Sequence, residues 1–253
     1  MIKLILIGCS GYMGRVVTDI VSNEADISIV AGVDLDGQQH GNYPVFANPS
    51  EFTGDANVVL DFSSPSALND LLSYSNTNNT PLILCATGYS IEQIAAIEKA
   101  SKQIPIFRSG NMSIGINLLT DLIRRACAVL GEDFDVEIIE RHHKRKVDAP
   151  SGTAIMLADA ANASLPYEAK YVFERESVRK PREPHEIGIS AVRGGTIVGV
   201  HDVIFAGRDE IIELRHTAAS REVFAVGAIK AARFMAGASP GIYNMKDVLA
   251  FTV

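Results

Sequence analysis

Two adjacent histidines stand in a short and strongly charged stretch of the sequence. The stretch runs from Glu137 to Ala154 and reads EIIERHHKRKVDAPSGTA. On an extended chain His142 and His143 point to opposite sides, so one could reach a reacting atom while the other binds substrate or packs elsewhere. Lys146 adds a cation and a possible acid, which suits a small anionic substrate that must receive a proton. Three further cations are expected to form a solvated or anion-steering face: Arg141, Lys144 and Arg145.

The end of this stretch predicts the start of a helix that could bind a carboxylate. Pro150 disfavours a helical conformation at Ala149, so a helix would begin near Ser151-Gly152-Thr153. Backbone N–H groups and hydroxyls at such a start can bind a carboxylate. Ser151 could instead be the nucleophile of a hydrolase or transferase, although the sequence supplies no base for it. No metal site is expected, because adjacent histidines rarely share one face and no third ligand is suitably spaced.

A second group of candidate residues near the N-terminus is suited to binding a nucleotide. A strand-like run at 2–7 is followed by glycines at 8, 11 and 14, and then by a helix pattern to about Asn23. Glycines allow close approach to a pyrophosphate, and the helix N-terminus directs N–H groups at it. The spacing departs from G-x-G-x-x-G, so a simple glycine-rich turn is the alternative. The expected nucleotide contacts are Gly8, Cys9, Ser10, Gly11, Tyr12 and Met13.

Asp34 follows a predicted strand at 27–33 and lies twenty residues after Gly14. A carboxylate at this position can bind the ribose hydroxyls of a dinucleotide. A solvent-facing aspartate at the end of a strand is the alternative. The next residues, 35–37 (LDG), include no Lys or Arg that could bind a 2′-phosphate. The charge pattern therefore favours NADH over NADPH.

Strands alternate with helices through the first half of the chain, which indicates a doubly wound parallel sheet. The patterns predict strands at 57–62, 81–85 and 104–107 and helices at 66–75, 90–102 and 114–130. Ligands of such sheets bind at the carboxyl ends of the strands, so the residues at three of these strand ends are expected to line the nucleotide site. They are the segment 61–65 (DFSSP), Ala86, Thr87, Gly88, Ser109, Gly110, Asn111 and Met112.

The second half of the chain has a different pattern. A strand is predicted at 135–140 and helices at 154–163 and 221–235, while runs after about Tyr171 alternate apolar and polar residues as in a mixed sheet. The charged segment 175–186 contains two prolines and is expected to be a loop. The predicted fold class is α/β, with a Rossmann-type sheet and a second α+β domain that contains an open mixed sheet. The expected domains are 1–113 with 218–253, for dinucleotide binding, and 114–217, for substrate binding and oligomerisation.

Composition excludes several classes of protein. The formal net charge of −7 and the pI of about 5.4 argue against nucleic-acid binding. The three cysteines have no metal-type or disulfide-type spacing, which fits a reducing compartment. No run reaches the ~18 apolar residues that a membrane span needs. We therefore expect a cytoplasmic protein without nucleic-acid or membrane partners.

The charged stretch also resembles a known signature. Residues 140–154 have the form E-x-H-H-x-x-K-x-D-x-P-S-G-T-A and closely resemble dihydrodipicolinate reductases, also called 4-hydroxy-tetrahydrodipicolinate reductases. The resemblance continues at 8–15, 86–88, 110–113, 192–195, 215–221 and 241–249, so it covers nearly the whole chain. It implies a Rossmann domain completed by the C-terminal segment, a sheet domain that builds a homotetramer, and a step of lysine and diaminopimelate biosynthesis.

The resemblance also implies a reaction and residue roles. A hydride would pass from reduced nicotinamide to a cyclic unsaturated imine with two carboxylates, giving tetrahydrodipicolinate. By motif position, His142 resembles the proton donor or acceptor and Lys146 the second acid, while His143 and the backbone of Gly152 and Thr153 resemble the carboxylate binders. Many members carry a basic residue where this chain has Leu35, and members often accept both nucleotides, so NADPH stays an alternative to NADH. A nucleotide-sensing binding protein on the same scaffold is a further alternative, which the dense cluster of histidine and lysine disfavours.

Overall fold

A computed structural model of the protein describes residues 1–35, 37 and 39–251. Asp36, in the LDG segment named above, lies outside the described residues. The chain divides into two compact units. Unit 1 comprises Met1–Ile114 and Glu222–Val253, and unit 2 comprises Gly115–Arg221. The sequence-based domain bounds were 1–113 with 218–253, and 114–217.

The helices and strands follow one another in mixed order along the chain. The strands are β1 (Ile2–Ile7), β2 (Ile27–Val33), β3 (Val45–Phe46), β4 (Val58–Asp61), β5 (Leu82–Leu84), β6 (Pro105–Arg108), β7 (Asp135–His142), β8 (Lys170–Val172), β9 (Glu186–Arg193), β10 (Gly199–Ala206), β11 (Ile211–Ala218) and β12 (Gly241–Tyr243). The α-helices are α1 (Tyr12–Val21), α2 (Leu68–Asn78), α3 (Ile91–Ala100), α4 (Ile114–Leu130), α5 (Gly152–Asn162), α6 (Glu222–Met235) and α7 (Met245–Phe251). Short 3₁₀ helices cover Pro49–Glu51, Pro65–Ala67 and Gly131–Asp133.

Unit 1 is built on a seven-stranded sheet with the order β12-β6-β5-β4-β1-β2-β3, in which all neighbouring strands are parallel. The central strands are apolar and buried, and each face of the sheet has its own hydrophobic core. Strand order reverses between β1 and β4, and such a switch point opens a crevice at the carboxyl ends of the strands. The predicted doubly wound parallel sheet is confirmed.

Two strands of this sheet were not predicted. β3 has two residues and β12 has three, so neither is long enough to show a period-2 pattern. β12 pairs with β6 and attaches the C-terminal segment to the edge of the sheet. This pairing, with the packing of α6 in the first core, is how the last residues of the chain complete unit 1.

Unit 2 contains a five-stranded sheet with the order β11-β10-β7-β9-β8. β10 is antiparallel to both β11 and β7, whereas β9 is parallel to both β7 and β8, so the predicted mixed sheet is confirmed. One face packs against α4 and α5 around a hydrophobic core that includes Ile138, Leu157 and Phe205. Because side chains alternate across a strand, residues 138, 140 and 142 of β7 lie on this inner face.

The segment predicted as a loop at 175–186 has no strand or helix before β9 begins at Glu186. Two of its three arginines bind the outer face of the mixed sheet. The guanidinium of Arg175 lies 2.8 Å from Oε1 of Glu137, and that of Arg182 lies 3.1 Å from the same oxygen. The loop is therefore held against β7 by ion pairs.

Candidate active site

In unit 1 the turn between β1 and α1 depends on glycine. Gly8 has a φ of +75°, a left-handed value that favours glycine, and a Cβ there would lie 2.9 Å from the carbonyl oxygen of Phe62. A Cβ on Gly14 would lie 2.2 Å from the carbonyl oxygen of Gly8, so α1 packs directly on the turn. Gly11 begins the helix without a side-chain cap. The helix N-terminus is thus shaped to receive an anion rather than a capping side chain.

Asp34 faces the same turn. Its Oδ2 accepts a hydrogen bond of 3.0 Å from the backbone N–H of Ser10. A cavity of about 390 Å³ lies beside it, at the carboxyl ends of β1, β2 and β4. Its polar and charged lining comes from Asp34, Asp70 and the serines at 63, 64 and 66, and none of its described lining residues is Lys or Arg. The cavity has the position and chemistry expected for the adenosine half of a dinucleotide.

The structure brings only some of the predicted nucleotide contacts to this cavity. Gly8, Gly11 and Asp34 line it, as do residues 62–64 of the predicted segment 61–65. Cys9 and Met112 have buried side chains that belong to the first hydrophobic core, so they can offer only backbone atoms to a ligand. The other predicted contacts are outside the lining of this cavity: Ser10, Tyr12, Met13, Ala86, Thr87, Gly88, Ser109, Gly110 and Asn111.

The loops after β5 and β6 keep open backbone at two glycines. Added Cβ atoms on Gly88 and Gly110 would meet no atom within 4 Å. In the second loop the hydroxyl of Ser109 donates to the carbonyl oxygen of Asn111 at 2.8 Å, and Oδ1 of Asn111 accepts from the N–H of Ser113 at 2.8 Å. This loop therefore has a defined shape at the carboxyl end of the sheet.

In unit 2, β7 extends two residues beyond the predicted strand and ends at His142. Glu140 lies on the same inner face, and its side chain is 0% exposed. Nδ1 of His142 lies 2.6 Å from Oε2 of Glu140. No role was predicted for Glu140, although two-residue spacing on a strand places it beside His142.

A partly exposed arginine binds the carboxylate of this pair. Arg193, at the end of β9, donates from Nη1 to Oε2 of Glu140 at 2.7 Å and from Nη2 to Oε1 at 2.6 Å. Burial by itself would raise the pKa of Glu140, but hydrogen bonds from Arg193, His142 and the N–H of Ser151 together hold it below the ordinary value. Sequence alone could not link Arg193 to this site, because the two strands join only in the folded sheet.

His201 of β10 forms a second contact with His142. The two rings meet edge to face, with centroids 5.2 Å apart and an interplanar angle of 73°. Burial and the nearby His142 lower the pKa of His201 to about 4, so His201 is neutral at pH 7. In the sequence, His201 is marked only as a histidine within an apolar strand.

The predicted helix start at residues 151–153 is confirmed, because Ser151 caps α5. Its Oγ accepts from the N–H of Ala154 at 3.2 Å and lies 3.1 Å from Nε2 of His201. The structure thus supplies the base that the sequence lacked for a serine nucleophile. However, Ser151 is only 2% exposed, its hydroxyl caps the helix, and His201 is a weak base. This geometry is that of a helix cap and does not favour a hydrolase.

Lys146 and Asp148 form an ion pair, with Nζ 2.8 Å from Oδ1. The hydrogen bond from Lys146 lowers the pKa of Asp148, and a hydrogen bond from the backbone N–H of Gly152 lowers it further. An added Cβ on Gly152 would meet no atom within 4 Å, so the start of α5 is open. The N-terminal end of α5 therefore already holds a carboxylate, which belongs to the chain itself.

His143 follows the end of β7, near Lys146, and is partly exposed. Burial lowers its pKa, and the charges of Arg145 and Arg221 lower it further. The surroundings of His143 are thus cationic, which suits a binder of carboxylates. Thr153 follows Gly152 in the first turn of α5 and is also partly exposed.

The expectation for Arg141 was wrong. Its guanidinium does not form a solvated face but contacts the buried carboxylate of Asp202 on the outer face of the sheet. Arg215 of β11 binds the same carboxylate. Side chains alternate between the two faces along β7, so Arg141 lies on the face opposite to Glu140 and His142. Lys144 and Arg145 are exposed, as predicted.

Among residues 1–35, 37 and 39–251, neither a metal-binding group nor a membrane-spanning helix is found. No group of three or more His, Cys, Asp or Glu side chains is placed to hold a metal ion. No helix of this part of the chain has both the length and the apolar character that crossing a membrane requires.

Comparison with known families gives two matches that together cover most of the chain. Residues 2–112 match the model described as dihydrodipicolinate reductase, N-terminus, and residues 115–249 match the one described as dihydrodipicolinate reductase, C-terminus. The boundary between the two matches falls at the first division between the units, and the second match continues past Arg221 into the C-terminal part of unit 1.

Individual proteins give the same result. The chain is 53% identical over 249 residues to a 4-hydroxy-tetrahydrodipicolinate reductase of Clostridium novyi, covering 98% of each chain. It is 51% identical over 249 residues to the enzyme of that name from Clostridium tetani, covering 98% of this chain and 97% of the relative. Among solved structures, a dipicolinate-bound dihydrodipicolinate reductase from Paenisporosarcina sp. TG-14 matches with a TM-score of 0.83 and 25% identity, covering 98% of this chain and 99% of the other.

Proposed function

Because this chain belongs to the dihydrodipicolinate reductase family, we propose that it reduces 4-hydroxy-tetrahydrodipicolinate to tetrahydrodipicolinate in lysine and diaminopimelate biosynthesis. The reductant is a reduced nicotinamide nucleotide. The observation that carries the assignment of roles lies in unit 2, where His142 and the N-terminus of α5 are both bound to one buried carboxylate, that of Glu140. An acid and a carboxylate-binding helix end are what an anionic imine requires of the protein.

Unit 1 fits the nucleotide. The nucleotide supplies the hydride when it is bound. Gly8 and Gly11 would hold its pyrophosphate, since the turn accepts no Cβ at Gly8 and no side chain caps the helix. The carboxylate of Asp34 would bind ribose hydroxyls from the wall of the 390 Å³ cavity. The loops at 86–88 and 109–112 would contact the remainder of the nucleotide at the carboxyl ends of β5 and β6.

NADH is the proposed physiological reductant. The described lining of the cavity contains two acids, Asp34 and Asp70, together with serines, and it offers no cation to a 2′-phosphate. A 2′-phosphate beside these carboxylates would meet repulsion between like charges. Leu35, which is 94% exposed at the edge of the cavity, occupies the position where many members carry a basic residue.

The proton transfer and the substrate contacts are assigned to unit 2. We assign His142 as the acid, because its Nδ1 lies 2.6 Å from the buried carboxylate of Glu140. Lys146 is the second acid. His143 and the start of α5, at Ser151, Gly152 and Thr153, bind the carboxylates of the substrate. The dipicolinate bound to the Paenisporosarcina enzyme is a flat dicarboxylate, which supports a substrate of this class.

The assembly and location proposed for the enzyme rest on the family resemblance. We propose a homotetramer built through the mixed sheet, whose exposed apolar side chains include Val192 and Ile211. Light scattering should then give a mass four times 27.2 kDa, and a monomeric mass would contradict the proposal. A cytoplasmic location follows from the biosynthetic role.

The reductase assay tests both the activity and the nucleotide. Freshly made product of the preceding synthase is supplied with NADH or NADPH, and nicotinamide absorbance is followed. We expect oxidation of both nucleotides, with the higher kcat/KM for NADH. The substitution Leu35→Arg should raise kcat/KM for NADPH several-fold. Absence of oxidation with either nucleotide would remove the proposed function, and a wild-type preference for NADPH would show that another cation binds the 2′-phosphate.

The roles in unit 2 are tested in the same assay. His142→Gln and Lys146→Ala should each lower kcat by roughly 10²-fold or more, because a positioned acid contributes about that much. The Kd for NADH should stay unchanged. Lys144→Ala is the matched control, since Lys144 is an exposed cation of the same stretch, and its kcat should stay near that of the wild type. Unchanged kcat in both His142→Gln and Lys146→Ala would refute the assignment.

A further inference from the structure

The carboxylate of Glu140 is buried and saturated by donors from three directions. Oε2 accepts from Nδ1 of His142 at 2.6 Å and from Nη1 of Arg193 at 2.7 Å. Oε1 accepts from Nη2 of Arg193 at 2.6 Å and from the backbone N–H of Ser151 at 3.0 Å. One side chain on β7 thus joins the proposed acid, a cation on β9 and the residue that caps α5. The sequence signature contains Glu140, but no role follows from the signature itself.

We propose that Glu140 is a positioning residue of the reduction, which fixes His142 so that Nε2 exchanges the proton with substrate and which aligns the N-terminus of α5 through the N–H of Ser151. Arg193 holds Glu140 in its ionised form. The inference rests on the proposed reductase function and deepens it by naming the reacting nitrogen and the group that selects it.

The reacting nitrogen follows from hydrogen-bond chemistry. An ionised carboxylate only accepts hydrogen bonds, so the proton on the neutral ring of His142 must sit on Nδ1, next to Glu140. Nε2 is then the nitrogen that gains and loses a proton, and when it carries one the imidazolium is stabilised by the adjacent carboxylate. With Nδ1 committed to Glu140, the ring has no other site for proton transfer.

The space around Nε2 fits this role. A Cβ on Gly199 would lie only 3.2 Å from Nε2 of His142, so glycine leaves room next to the reacting nitrogen. The ring of His201 packs edge to face against His142 and, being neutral, does not replace it as a donor. Besides Glu140 and Arg193, the ionisable groups around this pair of rings are His143, Lys146 and His216.

Glu140 also links the two halves of the site in unit 2. The N–H of Ser151 points at Oε1, and the next two residues, Gly152 and Thr153, form the proposed carboxylate site. A movement of Glu140 would therefore displace the acid and the carboxylate site together. Precise alignment of this kind is worth orders of magnitude in rate, since small misplacements of catalytic groups are costly.

The test uses the full chain with Glu140→Gln. The amide can no longer accept from all three partners, so the ring of His142 is released and the imidazolium loses its counter-charge. We expect kcat to fall about 10²-fold or more, by analogy with the loss of the carboxylate that orients a catalytic histidine. The alkaline limb of the pH profile of kcat should move to lower pH. KM for the dicarboxylate should rise less than kcat falls, and the Kd for NADH should not change.

Glu137→Gln is the matched control. Glu137 lies on the same strand and also binds two arginines, Arg175 and Arg182, but on the outer face of the sheet. Its kcat and pH profile should match the wild type. Glu140→Asp, which keeps the charge, should recover part of kcat and restore the position of the alkaline limb. An active wild type whose kcat and pH profile are unchanged by Glu140→Gln would overturn the inference, whereas an inactive wild type would overturn the proposed function itself.

Arg193 carries a charge that loses its partner in Glu140→Gln, so a second measurement avoids any dependence on the folding of that variant. In wild-type protein labelled with ¹⁵N-histidine, the ring nitrogens of His142 are observed at a pH where the ring is neutral, and the resonance is identified by its absence in His142→Gln. We expect Nδ1 to carry the proton. A proton on Nε2 of the neutral ring would contradict the inference without any substitution at Glu140.

Discussion

The proposed site of unit 1 is formed mainly by backbone atoms, whereas that of unit 2 is formed mainly by side chains. In unit 1 the proposed nucleotide site consists mainly of backbone: a left-handed glycine, a helix N-terminus without a side-chain cap and an N–H bound to Asp34. In unit 2 the site is a network of side chains, in which Glu140 binds His142 and Arg193. A site made of backbone needs the space that a missing Cβ leaves. A network of side chains needs particular residues to come together in the fold.

Because of this difference, the two sites are expected to be disturbed by different kinds of change. The turn of unit 1 is disturbed when a Cβ is added, since Gly8 and Gly14 pack against backbone atoms that cannot move independently. The network of unit 2 is disturbed when a proton or a charge is changed, since its groups are buried and ionisable. Unit 1 should therefore be sensitive to volume, and unit 2 to pH.

The largest effect is expected for Gly14→Ala in unit 1. Replacing glycine by alanine within a helix normally stabilises it by roughly 1 kcal/mol. Here the Cβ would lie 2.2 Å from the carbonyl oxygen of Gly8, so the helix must shift away from the turn. We expect the stability of unit 1 to fall by about 1–3 kcal/mol, as for other overpacked sites. The Kd for NADH, measured by fluorescence titration, should rise at least ~10-fold because the helix no longer meets the pyrophosphate in register.

Gly237→Ala provides the control for this substitution. Gly237 also lies in unit 1, and an added Cβ there would meet no atom within 4 Å. Its Kd for NADH should equal that of the wild type. An unchanged Kd in Gly14→Ala would show that the turn tolerates volume, and the contrast between the two units would then be lost.

A pH-dependent effect, in unit 2, is expected for His201→Gln. Burial and His142 lower the pKa of His201 from 6.5 to about 4. Between these values the unfolded chain binds more protons than the folded chain, so this histidine removes stability as pH falls from about 6.5 to 4. The loss is on the order of 3 kcal/mol. Glutamine can still bind the hydroxyl of Ser151 but does not ionise, so the variant should lose less stability over this window.

Urea unfolding at several pH values measures this difference. His143 and His216 also have lowered pKa values and stay in the variant. Only the difference between the two proteins in the slope of unfolding free energy against pH is therefore attributed to His201. Above pH 7 both states are neutral at position 201, and any difference there reports packing alone. Identical slopes for the two proteins would show that the inner face of the mixed sheet is not the pH-sensitive region.

The sequence predicts the backbone site better than the network. The parallel sheet, the turn at residues 8–14 and Asp34 were all recognisable, because local patterns and spacing determine them. The contact of the loops at 86–88 and 109–112 with the same ligand stays a prediction, since they lie outside the lining of the cavity proposed for the adenosine half. Asp70 was missed, since it reaches the cavity from α2 and carries no motif.

The network of unit 2 shows why other residues of the candidate site could not be predicted from the sequence. His142, Lys146 and the start of α5 lie within one stretch of sequence, and the signature contains them all. Arg193 is 53 residues from Glu140, and only the pairing of β7 with β9 brings the two together. The same holds for Ser151 and His201, which are 50 residues apart. Arg141 was misassigned because the alternation of β7, not composition, decides which face a cation occupies.

The smallest effect is expected for Asp148→Asn in unit 2. Its carboxylate binds Lys146 and the N–H of Gly152, the groups that we assign to the substrate. A substrate carboxylate must therefore compete with a carboxylate of the chain. Asp148→Asn removes the competing charge but keeps the volume, so KM for the substrate should fall a few-fold, opposite to the usual direction for a change within a site. Steady-state kinetics at low ionic strength, where such an interaction is least screened, give the clearest measurement. A rise in KM would mean that Asp148 holds Lys146 and Gly152 in place for the substrate, and that the network extends to this residue as a support.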